Sequence, residues 1–253
     1  MRLYEKWSLD VLKIDVKLPS TVQMQTEMQN GQRVRALLRQ QIQSIISGEK
    51  MNGYDFDGTI FKGDSFRRFY FYSLVRFPYI ILLLPFQLIA ALLRAMRILN
   101  KHAFLSAMSV FLAFVPAKKM LEKFWDKNMK HVKKWYLEQK KYNDVIVSAS
   151  PYFLVAEACR RLSVDCIATD MSYRGKTNGK HCYGQQKVDM FKSKYMNKLE
   201  TYYSDSFSDI PMFLFANEGY FVKGNKIKLA YKNGVRQKGI YVNEEEYLKE
   251  ARR

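Results

Sequence analysis

The chain has 253 residues, 48% of them hydrophobic, which is enough for one large domain or for a core with a smaller inserted domain. Its 42 Lys and Arg residues outnumber 24 Asp and Glu residues, and the resulting net charge of +18 attracts phosphorylated substrates, nucleic acid or anionic lipid. No nucleic-acid-binding signature is present, so no nucleic-acid partner is expected.

Cysteine and histidine usage argues against two further classes of site. The three cysteines show no CxxC spacing and are expected to be reduced thiols, and the three scattered histidines form no zinc-ligand pair. The N-terminus has no apolar signal-peptide core, which argues against secretion. These features predict a cytoplasmic protein, and apolar segments in its middle leave membrane association open.

Residues 1–50 are predicted to be an N-terminal extension with one amphipathic helix. Apolar residues between Val34 and Ile46 recur at helical spacing, and Gly48 suits the end of that helix. The extension is expected to be dispensable for catalysis because Met51 already begins the first core strand. A start codon assigned too far upstream would explain the same residues.

Asp55-Phe-Asp57-Gly58-Thr-Ile60 is the motif around which the chain is organised. The preceding Met51–Tyr54 can form a strand, and Gly58 permits a sharp turn after it. Both carboxylates can then converge at the carboxyl end of the strand, where open α/β sheets bind ligands. A bound cation would relieve their repulsion, although an ordinary turn explains this motif alone equally well.

The segment that follows is basic and apolar at once. Residues 61–141 contain 16 basic and 4 acidic residues, and the stretches 77–93 and 103–117 hold no charged residue. A transmembrane helix needs about 20 apolar residues, whereas the first stretch is shorter and interrupted by two prolines. A buried helical hairpin is therefore favoured, and a membrane-embedded or interfacial cap is the alternative.

From Asp144 onward, strands alternate with helices. This alternation predicts a parallel sheet with helices on both faces. Ser150 and Pro151 are expected to be the N-cap and first residue of a helix that ends near Leu162. The other predicted elements are strands at 145–148, 166–168, 201–204 and 219–222, a turn-rich hairpin at 173–179, and helices at 185–195 and 244–253.

The motifs, taken in order, resemble the haloacid dehalogenase-like (HAD) superfamily over roughly residues 51–225. They are Asp-x-Asp-Gly-Thr at 55–59, a strand ending in Ser148, a lysine, and Ser-Asp-x-x-x-Asp at 204–209. The inserted helical block and Ser-Ala-Ser-Pro at 148–151 are similar to the phosphoserine phosphatase-like branch, subclass IB. The resemblance implies an α/β Rossmann-like core at 51–65 and 142–253 and an all-helical C1-type cap at 66–141.

The resemblance also implies a Mg²⁺-dependent phosphatase that hydrolyses a phosphate monoester through an aspartyl-phosphate on Asp55. Asp57 would be the general acid and base, and Ser148 would contact a phosphoryl oxygen. Gly-Gln-Gln-Lys-Val at 184–188 is similar to the Gly-Glu-Glu-Lys-Val of close relatives, which favours Lys187 as the phosphate-neutralising lysine. The two glutamines depart from the pattern, so Lys192 or Lys194 are alternatives.

Metal and substrate ligands are implied in the same way. Asp55, the main-chain carbonyl of Asp57, and Asp205 would bind Mg²⁺, with Asp209 acting behind them or through water, unless it is only a helix N-cap. The implied substrate-binding residues are Asp64, Gly58 and Ala149. A polar hinge turn explains Asp64 equally well.

The substrate itself is left open as a small-molecule or a lipid phosphate. The apolar, arginine-bordered cap is similar in composition to that of phosphatidylglycerophosphatases of this superfamily. The alternative function is therefore a membrane-associated lipid phosphate phosphatase with peripheral contact through the cap. A catalytically inactive interaction protein is less favoured because all catalytic positions are filled. The sequence sets no oligomeric state.

Overall fold

A computed structural model describes residues 50–179, 181–195 and 198–237. The helices predicted at 34–46 and 244–253 lie outside the described residues, as does nearly all of the predicted extension 1–50.

Seven strands in the described part of the chain form one sheet in the order β3-β2-β1-β4-β5-β6-β7. The first five are mutually parallel, which confirms the predicted parallel α/β core. The strands are β1 (Asn52–Tyr54), β2 (Val145–Pro151), β3 (Asp165–Thr169), β4 (Thr201–Ser204), β5 (Glu218–Lys223), β6 (Lys226–Lys232) and β7 (Val235–Arg236).

The sheet contains two strands that were not predicted, beyond the predicted strand at 219–222. β6 and β7 continue it in the antiparallel direction after a tight turn at Gly224, whose φ is +64°. Lysines alternate with apolar residues in the first half of β6, and charged side chains of this kind protect the outer strands of a sheet from further pairing.

Helices cover both faces of the sheet, as predicted. Val145 and Val147 of β2 point into one apolar core, and Ile146 between them points into the other, because successive strand residues face opposite sides. Helix α6 (Tyr152–Leu162) lies over the Ile146 face. Helices α7 (Gln185–Lys194) and α8 (Ile210–Phe215) lie over the other face.

The regular secondary-structure elements of the insertion between β1 and β2 are all helices. Its last long helix, α4, packs against α6: the Trp125 indole is buried and its Nε1 donates to the Leu154 carbonyl at 2.9 Å. The insertion consists of helices α1 (Ser65–Arg76), α2 (Leu84–Ala95), α3 (Lys101–Ser109), α4 (Ala117–Asn128) and α5 (Lys134–Gln139), with 3-10 turns at Pro78–Leu83, Val110–Phe114 and Met129–His131.

The buried-hairpin expectation is wrong for the first apolar stretch. Of the 18 residues Pro78–Ala95, only Ile80, Gln87 and Ala90 are buried. This is the one described helical segment that is long and apolar enough to cross a membrane. The bent pair Ala103–Phe114 and Ala117–His131 would be a second if its 99° bend were ignored. The second apolar stretch does contribute to the core, through Phe111, Leu112 and Val115.

The expected N-cap at Ser150 is also wrong. β2 continues through Pro151, and α6 begins at Tyr152 without a side-chain cap. A proline restricts the preceding residue to extended conformations, so Ser150 stays in the strand. Its hydroxyl bonds the Asp57 carboxylate instead.

Candidate active site

The Asp55 loop is a hydrogen-bonded turn at the carboxyl end of β1. The Asp55 amide donates to the Tyr203 carbonyl of β4 at 2.8 Å, and the Gly58 amide closes the turn on the Gly63 carbonyl at 3.0 Å. The Phe56 and Phe61 rings are buried and stack at 5.3 Å between centroids, which anchors both ends of the loop in the core. The loop therefore holds its polar side chains against the edge of the sheet.

Asp55 is buried and forms an ion pair with Lys187. The Lys187 Nζ donates to Asp55 Oδ1 at 2.8 Å and to Asp209 Oδ2 at 2.6 Å. Burial raises the pKa of Asp55 to about 7, an effect that the Lys187 charge opposes. Burial also lowers the pKa of Lys187, but the charges of Asp209 and Asp55 outweigh it and hold that pKa well above its ordinary value. One lysine is thus shared by two buried carboxylates.

The other lysines considered from sequence are directed elsewhere. Lys194 forms an ion pair with Asp165 at 2.7 Å, and the Lys192 ammonium lies 5.2 Å from the Phe215 ring centroid. Of the three candidates, the structure therefore brings Lys187 to Asp55.

Thr59 connects Asp55 to Asp205. Its hydroxyl lies 3.4 Å from Asp55 Oδ2 and 3.3 Å from Asp205 Oδ1, and its oxygen accepts from the Asp205 amide at 2.9 Å. Burial raises the pKa of Asp205, and the bond from Thr59 opposes that rise. The sequence motif contained Thr59, but its bridging role follows only from the neighbouring positions of β1 and β4.

Asp209 is the second carboxylate bound to Lys187. It is fully buried, and its Oδ2 also accepts from the Ser204 hydroxyl at 2.8 Å and the Tyr202 hydroxyl at 3.1 Å. Its Oδ1 has no protein partner among the described residues. Asp209 occupies the N-cap position of α8, but its side chain does not cap that helix, so the capping explanation is wrong.

These oxygens fit a divalent cation bound by two carboxylates. Asp55 and Asp209 share Lys187, and Asp205 lies next to Asp55 across the Thr59 hydroxyl. Among the described residues, Asp205 has no ion pair with a lysine, and the buried Oδ1 of Asp209 has no hydrogen-bond partner. Mg²⁺ typically takes one or two carboxylates and keeps several waters. Within residues 50–179, 181–195 and 198–237, no three His, Cys, Asp or Glu side chains converge closely enough to ligate a metal together. Asp57 and Asp209 would therefore not add side-chain ligands.

Gly58 allows the Asp205 carboxylate to approach the backbone of the Asp55 loop closely. A Cβ placed on Gly58 would lie 1.9 Å from Asp205 Oδ2, and φ at this position is +74°. Both facts require glycine, because other residues disfavour this conformation and would collide with the carboxylate. The substrate-binding role predicted for Gly58 remains a prediction.

Asp57 has hydrogen-bond partners different from those of Asp55 and Asp209. Its Oδ1 accepts from the Ser65 amide at 2.6 Å, and its Oδ2 accepts from the Ser150 hydroxyl at 2.5 Å. Burial, and next the charge of Asp64, raise the pKa of Asp57 to about 6. A carboxyl group that titrates near neutrality can both donate and accept a proton. Neither Ser65 nor Ser150 was assigned to the site from sequence.

The remaining predicted residues lie around this site. Ser148 is buried in the middle of β2, and its Oγ accepts from the Ser150 amide at 3.2 Å. Ala149 follows it, with its carbonyl accepting from the Thr169 hydroxyl at 2.7 Å. Asp64 is exposed and caps α1 by accepting from the Arg67 amide at 2.7 Å. This contact gives Asp64 a structural role at the turn before α1, as considered from sequence. Its substrate-binding role remains a prediction.

Lys133, at the end of the helical insertion, is a further residue that sequence reasoning missed. Its Nζ donates to the Gly58 carbonyl at 2.5 Å and to the Gly224 carbonyl at 2.7 Å. Burial lowers its pKa, and the charge of Asp205 opposes that shift. Lys133 thereby fixes the Asp55 loop to the turn between β5 and β6.

Comparison with known proteins adds a family match. The family model of haloacid dehalogenase-like hydrolases matches residues 53–214. No curated protein sequence matches the chain significantly.

Solved structures give a fold-level match. A protein of unknown function from Bordetella pertussis Tohama I is similar at a TM-score of 0.54 and 18% identity, over 67% of this chain and 87% of that one. A phosphoserine phosphohydrolase-like protein from Francisella tularensis subsp. tularensis SCHU S4 gives a TM-score of 0.43 at 16% identity, over 68% and 86%. A phosphoserine phosphatase with a phospho-aspartyl intermediate analogue gives 0.45 at 18% identity, over 68% and 85%.

Proposed function

Because the chain belongs to the haloacid dehalogenase-like hydrolase family, we propose that it is a Mg²⁺-dependent phosphatase that hydrolyses a phosphate monoester through an aspartyl-phosphate on Asp55. The observation that carries this proposal is the convergence of Lys187 and Thr59 on the Asp55 carboxylate, with Asp205 beside it. A nucleophilic carboxylate, a cation for the phosphoryl charge and a second carboxylate for the metal are the groups that this chemistry needs.

In the first step, an Asp55 oxygen attacks phosphorus, and the bond between phosphorus and the ester oxygen breaks. Lys187 holds Oδ1, which leaves Oδ2 on the side of Thr59 and Asp205. Asp57 gives its proton to the departing alcohol oxygen, a contribution of about 10²–10⁴-fold for a well-placed general acid. Mg²⁺ bound by Asp55, Asp205 and the Asp57 carbonyl would supply positive charge next to the phosphoryl oxygens.

In the second step, Asp57 takes a proton from water, and the water oxygen attacks phosphorus. The bond from phosphorus to Asp55 breaks, so phosphate is released and both carboxyl groups return to their initial states. Ser148, buried beside Asp57's partner Ser150, would donate its hydroxyl to a phosphoryl oxygen in both steps.

Asp55→Asn tests the nucleophile. The variant should fold, since an amide can still accept from Lys187, and should hydrolyse p-nitrophenyl phosphate at background rate with Mg²⁺ present. Acid quenching during turnover should trap phosphate on the peptide containing Asp55 in the parent protein and not in the variant. Asp189→Asn, at an exposed position on α7, is the matched control and should retain full activity. Undiminished turnover in Asp55→Asn would exclude the mechanism. A folded parent protein that binds Mg²⁺ but hydrolyses no phosphate ester would favour the inactive interaction protein.

One observation favours a lipid phosphate as a second candidate substrate. The surface formed by Pro78–Ala95 exposes Leu82, Leu88 and Leu92, whose exposed fractions are 79%, 60% and 61%. Soluble proteins rarely expose apolar patches of this extent unless the patch binds something. Other exposed apolar residues of this surface are Tyr79, Ile81, Leu84, Phe86 and Ile89.

Charge and distance favour a bilayer as the partner of this surface. Arg76, Arg94 and Arg97 border it and are exposed, so the apolar residues can enter lipid while the arginines contact anionic headgroups. Helix α1 connects the two sites: its first residue, Ser65, donates to Asp57, and its twelfth, Arg76, reaches the surface. A 12-residue helix spans about 18 Å, and this short separation supports access from the surface to the carboxylates.

Vesicle flotation tests this second candidate. The protein should float with phosphatidylglycerol vesicles, and the association should survive high salt, because salt screens only its electrostatic part. Leu82→Asp and Leu88→Asp should abolish flotation, whereas Val235→Asp, at an exposed apolar position on β7, should not. Long-chain alkyl phosphates presented in vesicles should be hydrolysed faster than ethyl phosphate. A protein that never floats and prefers ethyl phosphate would exclude the lipid substrate.

A further inference from the structure

The Asp57 carboxyl is held from two sides, by groups on different elements. The Ser65 amide at the start of α1 donates to Oδ1, and the Ser150 hydroxyl at the end of β2 donates to Oδ2. An amide at a helix N-terminus is fixed by the backbone. The hydroxyl of Ser150 is the adjustable partner, because it can rotate and can both donate and accept.

The position of Ser150 follows from the irregular end of β2. The pairing of β2 with β3 shifts register between Ser148 and Pro151, and Pro151 keeps Ser150 extended. Had Ser150 begun the helix, its hydroxyl would have capped α6. In the strand, the hydroxyl is directed across to the Asp55 loop, 93 residues away in sequence.

Ser150 also contacts the residue proposed to bind phosphate. Its amide donates to Ser148 Oγ at 3.2 Å, which occupies a lone pair of Ser148 and leaves the Ser148 hydroxyl proton for a substrate oxygen. One residue therefore contacts both the general acid, through its hydroxyl, and the phosphate-binding serine, through its amide.

We infer that Ser150 is a positioning residue that aims the Asp57 carboxyl at the leaving-group oxygen, an inference that rests on the proposed phosphatase function. Oδ2 receives the Ser150 bond when Asp57 is ionised. The Ser65 amide holds Oδ1 in the same way, so the two bonds together fix the plane of the carboxyl and the direction of the lone pair that gives or takes a proton at the ester oxygen. The role is thus to hold the direction of proton transfer in both chemical states of Asp57.

Substrates with different leaving groups distinguish this positioning role of Ser150 from a merely structural one. An alkoxide is a poor leaving group and needs a proton from Asp57 as the ester bond breaks, whereas p-nitrophenolate leaves without one. A residue that only supports the fold would affect both substrates equally, since both need Asp55, Lys187 and the metal.

The experiment compares an alkyl phosphate with p-nitrophenyl phosphate in Ser150→Ala, Ser150→Thr and the parent protein, with Mg²⁺ present. In Ser150→Ala, kcat for the alkyl ester should fall on the order of 10-fold to 100-fold, part of the full general-acid contribution. For p-nitrophenyl phosphate, kcat should fall by less than about 3-fold, and KM should change little for either ester. Ser150→Thr keeps the hydroxyl and should restore alkyl ester turnover. Ser193→Ala, which removes an exposed hydroxyl on α7, is the control.

Equal losses on both esters, or no loss on either, would overturn the inference. If Ser150→Ala does not fold, Ser150→Cys keeps the side-chain size with a weak donor and is read in the same way. In Asp57→Asn, adding Ser150→Ala should have no further effect on alkyl ester turnover, since the two residues act as one unit. A full additional loss in that double variant would also overturn it.

Failure of the proposed function is distinguishable from failure of this inference, because the parent protein would then hydrolyse neither ester.

Discussion

The Lys187 ammonium and the Asp55 carboxylate are 132 residues apart in sequence and meet at 2.8 Å in a buried site. The same ammonium reaches Asp209 at 2.6 Å, so β1, α7 and the start of α8 are joined through one positive charge. Burying that charge is favourable only while both carboxylates remain, because unpaired charges in a protein interior cost several kcal/mol each.

Lys187→Met should therefore destabilise the protein as well as inactivate it. The two buried carboxylates would lose their counter-ion, and breaking a buried pair costs about 3–5 kcal/mol. Urea unfolding at pH 8 without divalent metal measures this loss. Lys192→Met, on the same helix but exposed, should change the free energy of unfolding by no more than about 0.5 kcal/mol. Equal stability in the two variants would show that Lys187 is not the counter-ion of this site.

Gly58→Ala should impair the protein more than the strained backbone conformation alone would. Gly58 and Gly224 both have positive φ, +74° and +64°, so alanine at either position carries a strain of roughly 1 kcal/mol. Only at Gly58 would the new methyl group meet Asp205 Oδ2, at 1.9 Å, whereas nothing lies within 4 Å at Gly224. Gly58→Ala should consequently lose most phosphatase activity, and Gly224→Ala should retain it. Thermal unfolding and turnover of both variants measure the difference, and matching activities would contradict it.

The motif order was enough to place Asp55, Lys187, Asp205 and Asp209 in one neighbourhood. Parallel strands bring their carboxyl ends to one edge of the sheet, so residues that follow β1, β2 and β4 meet there. The alternation of strands and helices likewise predicted the parallel core. These inferences depend on the order of the motifs and on the alternation of strands and helices, and both can be read from the sequence.

The contacts that the sequence did not predict depend on side chains meeting across elements. Ser150 was expected to cap a helix, and only the extended end of β2 directs its hydroxyl to Asp57. Lys133 lies in the predicted helical cap and was given no role from sequence, although it donates to the Gly58 and Gly224 carbonyls. Burial of the 77–93 stretch was predicted wrongly because apolar composition does not distinguish a core helix from an exposed apolar surface.

Stability should depend on pH through Asp144, which lies at the amino end of β2. Its carboxyl is buried, accepting from the Asn52 amide group at 3.2 Å and the Lys141 backbone amide at 2.8 Å. Burial raises its pKa to about 6, above the value of about 3.9 expected in the unfolded chain. The folded state thus holds the proton more tightly, so this group lowers stability progressively as pH rises from about 4 to 6, by roughly 3 kcal/mol in total.

Asp144→Asn removes that titration and should flatten this part of the pH dependence. Any hydrogen bond weakened by the amide gives a constant offset, which does not affect the slope. Urea unfolding of both proteins at intervals between pH 4 and pH 7 measures the difference between their free energies of unfolding. Parallel curves across this range would show that Asp144 has the same pKa in the folded and unfolded states.

Mg²⁺ should stabilise the protein through Asp205, and Asp205→Asn should lose that stabilisation without weakening the metal-free protein. Asp205 shares the Thr59 hydroxyl with Asp55 and forms no ion pair with a lysine among the described residues, although the charge of Lys133 acts on it. Burial nevertheless outweighs these contacts and raises the pKa of Asp205, so a neutral side chain is favoured when no metal is bound, and the metal-free variant should be at least as stable as the parent. A ligand at 100 times its Kd stabilises the folded state by about 2.7 kcal/mol, so thermal or urea unfolding with and without Mg²⁺ resolves the effect. Asp170→Asn, at an exposed position beyond β3, should keep the full Mg²⁺ response. An unchanged response in Asp205→Asn would place the metal elsewhere, and a large loss of metal-free stability would give Asp205 a structural role instead.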